Sequence, residues 1–324
     1  MTRLPNVIVP GAQKSGTTSL VRALERHPDC ALARPKEPSF FCRAEALPDL
    51  DRYRRCFAHV RDERVVIDAS TAYMVDPAVP GRLKETLGED LRVVFILRDP
   101  VERAFSAYWH LAKRGAERRS PEEVFSFRSR DLECAAGEEA ERLADALARG
   151  RLDTRELAPR YDDPLWPYRY LAGGAYLAPI QRWQRAFGRG RVKVLVLEEL
   201  AADPVAVFER LARFLSLEGD PPRDGLLGVH NPTRIPRDDA LGRAARALPG
   251  QAALRRLGRR LPAVARWTER ALFANPPDAD PALAGRLRAL YAPAQRALAQ
   301  HLDLDLARWW GAPQRADAVA SPAA

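Results

Sequence analysis

A chain of 324 residues with 46% hydrophobic and 29% charged side chains has the make-up of an ordinary globular protein, large enough for one big α/β domain or two small ones. No apolar run is long enough to span a bilayer, which excludes a protein built on membrane-spanning helices. The net charge of +9 favours acidic ligands, but nearly all of it is arginine in an alanine-rich chain, so the five lysines are more telling than the total.

Residues 6–10 form the first strand-like run, and the segment Val7-Ile8-Val9-Pro10-Gly11-Ala12-Gln13-Lys14-Ser15-Gly16-Thr17-Thr18 carries it into a glycine-bounded loop and a helix. Leu20, Val21 and Leu24 share one face of that helix, which stops near His27-Pro28. Further strand-like runs fall at 65–68, 93–97 and 192–197. Helices are expected over 77–87, 100–113 and 176–187, with Asp203 capping another that runs to Leu215. Strands alternating with helices imply a doubly flanked parallel sheet, with ligands at the carboxyl ends of its strands. Residues 120–155 are charged and helical, and 158–170 are rich in proline and aromatics; together they suggest a lid over the active face. From 230 onward the chain is helical and arginine-rich, with Pro293 expected to interrupt the last long helix. One domain is expected over 1–324: a core at about 5–217, a lid insertion at about 115–172, a helical cover at about 230–311 and a frayed tail at 312–324.

The loop after the first strand has the chemistry of a phosphate cradle. Gly11 and Gly16 allow close backbone approach, and the free amides and positive dipole end of the next helix favour an anion. In the nucleoside-triphosphate loop a lysine follows the second glycine directly. Here Thr17 takes that place, and the lysine lies inside the loop at Lys14. A second anion grip is suggested by Arg98 at the end of the strand at 93–97 and Ser106 two turns into the adjoining helix, unless Arg98 pairs with Asp99 or Glu102. Two grips at neighbouring strand ends fit a nucleotide phosphorylated at both ends.

These segments resemble the sulfotransferases that use 3′-phosphoadenosine 5′-phosphosulfate (PAPS), most closely the heparan-sulfate-type and bacterial carbohydrate branch. Residues 11–18 look like the family's 5′-phosphosulfate loop, and 98–106 like its 3′-phosphate motif. Lys36-Glu37-Pro38-Ser39-Phe40-Phe41 and Gly174-Ala175-Tyr176 agree as well. The resemblance implies a P-loop-like three-layer α/β fold and in-line sulfuryl transfer from PAPS to a hydroxyl or amine of a carbohydrate or natural product. It implies Gln13, Lys14, Ser15, Gly16, Thr17, Thr18, Arg98, Ser106, Tyr176 and Arg234 around the cosubstrate. Lys14 would neutralise the leaving oxygen and Glu37 would act as general base, with His110 the second candidate base. A pairing of Glu37 with Lys36 or Arg34 on a loop is the alternative for that carboxylate. No metal is expected. The chain departs from the family at Ser39, where many relatives carry histidine, at Ala69, where many carry lysine, and at 230–237, which lacks a Lys-Gly-Arg signature.

A nucleoside or sugar kinase is the first rival, but it needs a lysine after Gly16 and an acidic metal ligand at a strand end. A nucleic-acid-binding protein is the second, but the basic residues are dispersed and not gathered with aromatics on one element. Neither nucleic acid nor membrane is expected as a partner. Cys30, Cys42, Cys56 and Cys134 lack metal-ligand spacing, and with no leader pattern before the first strand they suggest reduced thiols in the cytoplasm.

Overall fold

The computed structural model describes residues 3–218, 235–236, 273–274, 277 and 279–311. Five parallel strands form the central sheet: β1 (Val7–Gly11), β2 (Cys30–Leu32), β3 (Val65–Asp68), β4 (Arg92–Leu97) and β5 (Val192–Val196), in the spatial order β2-β3-β1-β4-β5. The chain leaves β1 toward β2 and β3 on one side and returns to β4 and β5 on the other, which makes the end of β1 the topological switch point.

Alternation of side chains sorts the two faces of the sheet. Val7, Val9, Val94 and Ile96 pack under α1 (Thr17–Leu24) and the later helix Pro204–Leu215, through Leu20, Val21, Leu24, Phe208 and Leu211. Ile8, Val93, Phe95 and Leu97 point the other way, onto the helices Val79–Leu87 and Leu177–Phe187 through Leu83, Ile180 and Trp183. Phe95 and Trp183 meet edge to face at 5.9 Å. Both faces are therefore covered, as near-continuous apolar strands require. The strand β2 has no counterpart among the sequence expectations. It is only three residues long, Cys-Ala-Leu, too short for alternation to mark it.

Among the described residues the α-helices, in chain order, are α1, α2 (Leu50–Arg55), α3 (Val79–Leu87), α4 (Pro100–Ala112), α5 (Pro121–Val124), α6 (Leu132–Ala148), α7 (Leu177–Phe187), α8 (Leu197–Ala202), α9 (Pro204–Leu215), α10 (Pro281–Leu302) and α11 (Leu306–Trp310). Asp99 caps α4 and Asp203 caps α9 through backbone amides of their first turns. A second apolar cluster joins the inserted α5 and α6 to α4 and α10, around Tyr108, Phe125, Leu143, Tyr170, Leu287 and Tyr291.

One expectation is corrected. The helix α10 runs unbroken through Pro293. The proline lies on the exposed face, while Leu287, Leu290, Tyr291 and Leu298 hold both halves of the helix from the buried side. The carbonyl that loses its partner there faces water, so the loss is tolerated.

Candidate active site

The carboxyl ends of β1, β3 and β4 open into one cavity of about 910 Å³. Its floor is the turn at residues 12–16. The Ala12 amide donates to Ile96 O at 2.8 Å, which ties the turn to β4. Gly16 sits at φ +85°, where a Cβ would also meet Leu197 Cδ1 at 2.7 Å, and a Cβ on Gly11 would meet the Met74 side chain at 2.9 Å. Gly16 is thus required by its backbone conformation, and Gly11 by the close approach of Met74 Cβ. The helix α1 that follows has no side-chain cap and no acidic residue in its first turn. Its orphan amides therefore look out toward the cavity with Thr17 and Thr18, which is the donor set a phosphate needs.

Cations surround this donor set. Lys14 is held at φ 68° and lines the cavity, and its ammonium is pushed down to about 8, first by burial and then by Lys113, Arg98 and Arg114. Like charges are gathered here at a cost that a polyanion would remove. Arg98 reaches Glu102 at 3.3 Å and Lys14 O at 3.4 Å. Its Glu102 partner is half exposed, so the pair contributes less than about 1 kcal/mol and yields readily to a charge-assisted bond with phosphate. Asp99 is not a partner of Arg98, because its carboxylate accepts from the Val101 amide at 2.7 Å and the Glu102 amide at 3.1 Å. Ser106 faces the same cavity from α4.

The strand end that carries Arg98 is fastened from behind. The Tyr176 hydroxyl donates to Arg98 O at 2.8 Å. Glu198 accepts the Asp99 amide at 3.1 Å and the Trp310 indole N–H at 2.9 Å.

Glu37 enters the cavity from the loop after β2, with φ 60°. Lys36 Nζ donates to its Oε1 at 2.5 Å, and the Thr71 hydroxyl lies 3.5 Å from its Oε2. The loop pairing with Lys36 thus coexists with a position on the cavity wall. His110 lines the wall opposite, on α4, and burial, Lys14, Arg114 and Lys113 push its imidazole down to about 3. It is neutral at neutral pH. The outer wall comes from the inserted region: Leu157, Arg160, Tyr161, Trp166 and Pro167, with Trp109 of α4. Tyr161 and Trp166 meet edge to face at 5.5 Å.

Nine of the site residues expected from sequence line this one cavity: Gln13, Lys14, Gly16, Thr17, Thr18, Glu37, Arg98, Ser106 and His110. Two do not. Ser15 is fully buried beneath the turn, and Tyr176 is 2% exposed, packed against Trp310 and committed to the Arg98 carbonyl. Arg234 lies outside the described residues. Of the three aromatics of the proline-rich loop, Trp166 reaches the cavity, whereas Tyr168 and Tyr170 are fully buried on Asp153 O and Glu117. Sequence reasoning passed over Lys113, Arg114 and Arg160. Lys113 carried a usable signal, since it is one of five lysines and lies about one turn beyond His110, at the C-cap of α4.

Among the described residues, no three His, Cys, Asp or Glu side chains converge as a metal site, and no helix is long and apolar enough to cross a membrane. The fold and the cavity define an α/β protein with a cation-lined anion cradle at the carboxyl end of its sheet. A family model described as a sulfotransferase domain matches residues 4–224, and the chain belongs to that family. Over 216 residues it is 26% identical to heparan sulfate glucosamine 3-O-sulfotransferase 3A1 of Mus musculus, covering 67% of this chain and 47% of that protein. It is 32% identical over 126 residues to the membrane-associated sulfotransferase kil1 of Dictyostelium discoideum, covering 38% of this chain and 26% of that one. The chain spans about half the length of the curated relatives it matches, 47% in the heparan sulfate case. A solved structure, the sulfotransferase from Alicyclobacillus acidocaldarius, superposes with a TM-score of 0.60 at 27% identity, covering 95% of this chain and 99% of that one.

Proposed function

We propose that this protein transfers a sulfuryl group from PAPS to a hydroxyl or amine of a carbohydrate or natural-product acceptor in the cytoplasm. The observation that carries the reading is the placement of Lys14 and Glu37 on one cavity, with Arg98 and Ser106 beside them. The four unpaired cysteines fit a reducing compartment.

The residues fit PAPS at both ends. The uncapped amides of α1 with Thr17 and Thr18 would hold the 5′-phosphosulfate, and Arg98 with Ser106 the 3′-phosphate. PAPS, when bound, supplies an electrophilic sulfur and a leaving phosphate oxygen. Lys14 would place a cation beside that oxygen, where negative charge develops, and so would stabilise the transition state more than the ground state. A lysine directly after Gly16 would sit on the helix and not inside the turn, which gives the displaced position its chemical sense. Glu37 accepts the proton of the attacking hydroxyl or amine. Lys36 and Thr71 fix its two oxygens so that the carboxylate faces the cavity. The wall of Trp109, Tyr161 and Trp166 offers flat surfaces for an acceptor ring and narrows access for water.

His110 is the weaker base on these terms. An imidazole held near 3 by burial and three cations has little affinity for a proton, and its role as a neutral hydrogen-bond donor to an anion fits the same position better. The kinase reading is disfavoured by Thr17 after Gly16 and by a cation, Arg98, at the end of β4.

Thermal unfolding with adenosine 3′,5′-bisphosphate and with ATP plus magnesium tests the reading, because a ligand of the folded state raises its stability. Stabilisation by the bisphosphate is expected; stabilisation by ATP and magnesium alone would overturn it.

A further inference from the structure

The loop that carries Glu37 is strained and needs a reason to hold. Glu37 and Ser39 both lie in the left-handed region, at φ 60° and 52°. Residues kept there persist only where their surroundings over-determine them. The loop is not part of a helix or sheet until Phe40, so its amides must find partners elsewhere.

Those partners come from the end of β3. The Ser39 amide donates to Ser70 Oγ at 3.0 Å, and the Phe41 amide approaches the Tyr73 hydroxyl at 3.4 Å. Each hydroxyl in turn donates to one carboxylate: Ser70 to Asp68 Oδ1 at 2.7 Å, and Tyr73 to Oδ2 at 2.9 Å. Tyr53 donates to the same Oδ2 at 2.7 Å. Asp68, Ser70, Tyr53 and Tyr73 are all fully buried. The neighbouring Thr71 reaches the Glu37 side chain itself.

We infer that Asp68 is a positioning residue for the base Glu37, acting through the Ser70 and Tyr73 hydroxyls on the amides of Ser39 and Phe41. The logic is one of polarity. An ionised carboxylate only accepts. Facing it, Ser70 and Tyr73 must turn their protons inward, which leaves lone pairs free for the two loop amides. Burial raises Asp68 to about 6, and the three hydroxyl bonds oppose that rise, so the group is an anion at neutral pH. Replace it with an amide and one nitrogen must donate toward hydroxyls that already receive backbone protons. At least one buried proton then has no acceptor, and the relay loses its direction. The phosphate turn at residues 12–16 takes no hydrogen bond from this group, so cosubstrate binding stands apart from it. The inference rests on Glu37 being the base, and its test separates the two claims.

The variants are Asp68→Asn, Ser70→Ala and Ser70→Thr, and the last keeps the hydroxyl. Two measurements need no known acceptor. Hydrogen exchange of the peptide covering residues 36–43 should accelerate in Asp68→Asn and Ser70→Ala and stay near wild type in Ser70→Thr. PAPS turnover to adenosine bisphosphate, with chemically desulfated heparin as acceptor and with water alone, should fall about a hundredfold in kcat for the first two, the scale of a 1 Å misplacement of a reacting group. Affinity for the bisphosphate should stay within about twofold in all three, since no contact to it changes. Unchanged exchange or unchanged kcat in Ser70→Ala overturns the inference, as does equal loss in Ser70→Thr or a parallel loss of bisphosphate binding. If Asp68→Asn does not fold, the Ser70 pair decides alone. If the relay variants lower kcat while Glu37→Gln does not, the base assignment fails and the positioning claim with it. If wild type turns over no PAPS, the functional reading fails, and the exchange data alone decide whether Asp68 holds the loop.

Discussion

Two loops meet at the cavity and are built on opposite plans. The turn at residues 12–16 leaves its neighbouring amides open: α1 begins without a cap, and the space above it is cleared by Gly16 and Gly11. The loop that carries Glu37 turns its amides inward, onto Ser70 and Tyr73. On the proposed reading, an anion would be gripped by donors left open by the fold, whereas a proton would be received by a single carboxylate whose backbone must not move. Each loop is strained, with Lys14, Glu37 and Ser39 in the left-handed region, but in the second the Ser39 and Phe41 amides are spent within the fold.

The contrast can be broken from either side. Removing the carboxylate has the largest expected effect. Glu37→Gln should lower kcat about a hundred- to ten-thousandfold, the range for a general base, with bisphosphate affinity unchanged. Retained turnover would shift the role to His110 or to water. Next in size, Lys14→Met should lower kcat about a hundred- to a thousandfold, as loss of one transition-state cation does, and it should weaken bisphosphate binding as well. That double loss, against the single loss in Glu37→Gln, is what the two plans demand.

Lys14→Met should also raise the melting temperature of the ligand-free protein. The sign follows from its lowered value of about 8. The unfolded chain holds this proton more tightly, so charged Lys14 opposes folding below about 8, and that opposition is relieved as pH rises from there toward the ordinary lysine range. Ligand affinity runs the other way. Bisphosphate binding should fall with rising pH above about 8, by at most about tenfold per unit, because one proton must be recovered to bind. Calorimetry at pH 7 and pH 9.5 checks both directions, and a flat affinity would remove Lys14 from the grip. The smallest effect is expected from Tyr176→Phe. Loss of one hydrogen bond, about 0.5–1.5 kcal/mol, should weaken bisphosphate binding about two- to tenfold through Arg98 and leave the base untouched.

Much of this plan was legible in the residues. The turn and the strand end at Arg98 are contiguous motifs that alternating strands and helices bring to neighbouring strand ends, whereas the Glu37 segment was marked by the resemblance alone. The strands at 65–68, 93–97 and 192–197 stood out as apolar runs, while the three-residue β2 did not. What the sequence hid is whatever depends on contacts between distant segments. Tyr176 looked like a nucleotide contact, yet its hydroxyl goes to the Arg98 carbonyl 78 positions away. Tyr168 and Tyr170 belong to the aromatic stretch read as part of a lid over the active face, yet a buried Glu117 and a backbone carbonyl claim them. Nothing local marked Asp68 as a hub within the strand-end segment 68–73, because its partners Tyr53, Ser70 and Tyr73 come from both sides of it in the chain. Pro293 was read by its local rule, and packing of α10 on its buried face overrode that rule.

Glu198 has a consequence for how far the chain can be shortened. Its two oxygens join the amide after Arg98 to the indole of Trp310, residues more than two hundred positions apart. The helix α11 is therefore a clasp behind the strand end that carries Arg98. A boundary drawn before Leu306 would release that clasp and should loosen Arg98 first. One drawn after Gly311 would keep it closed.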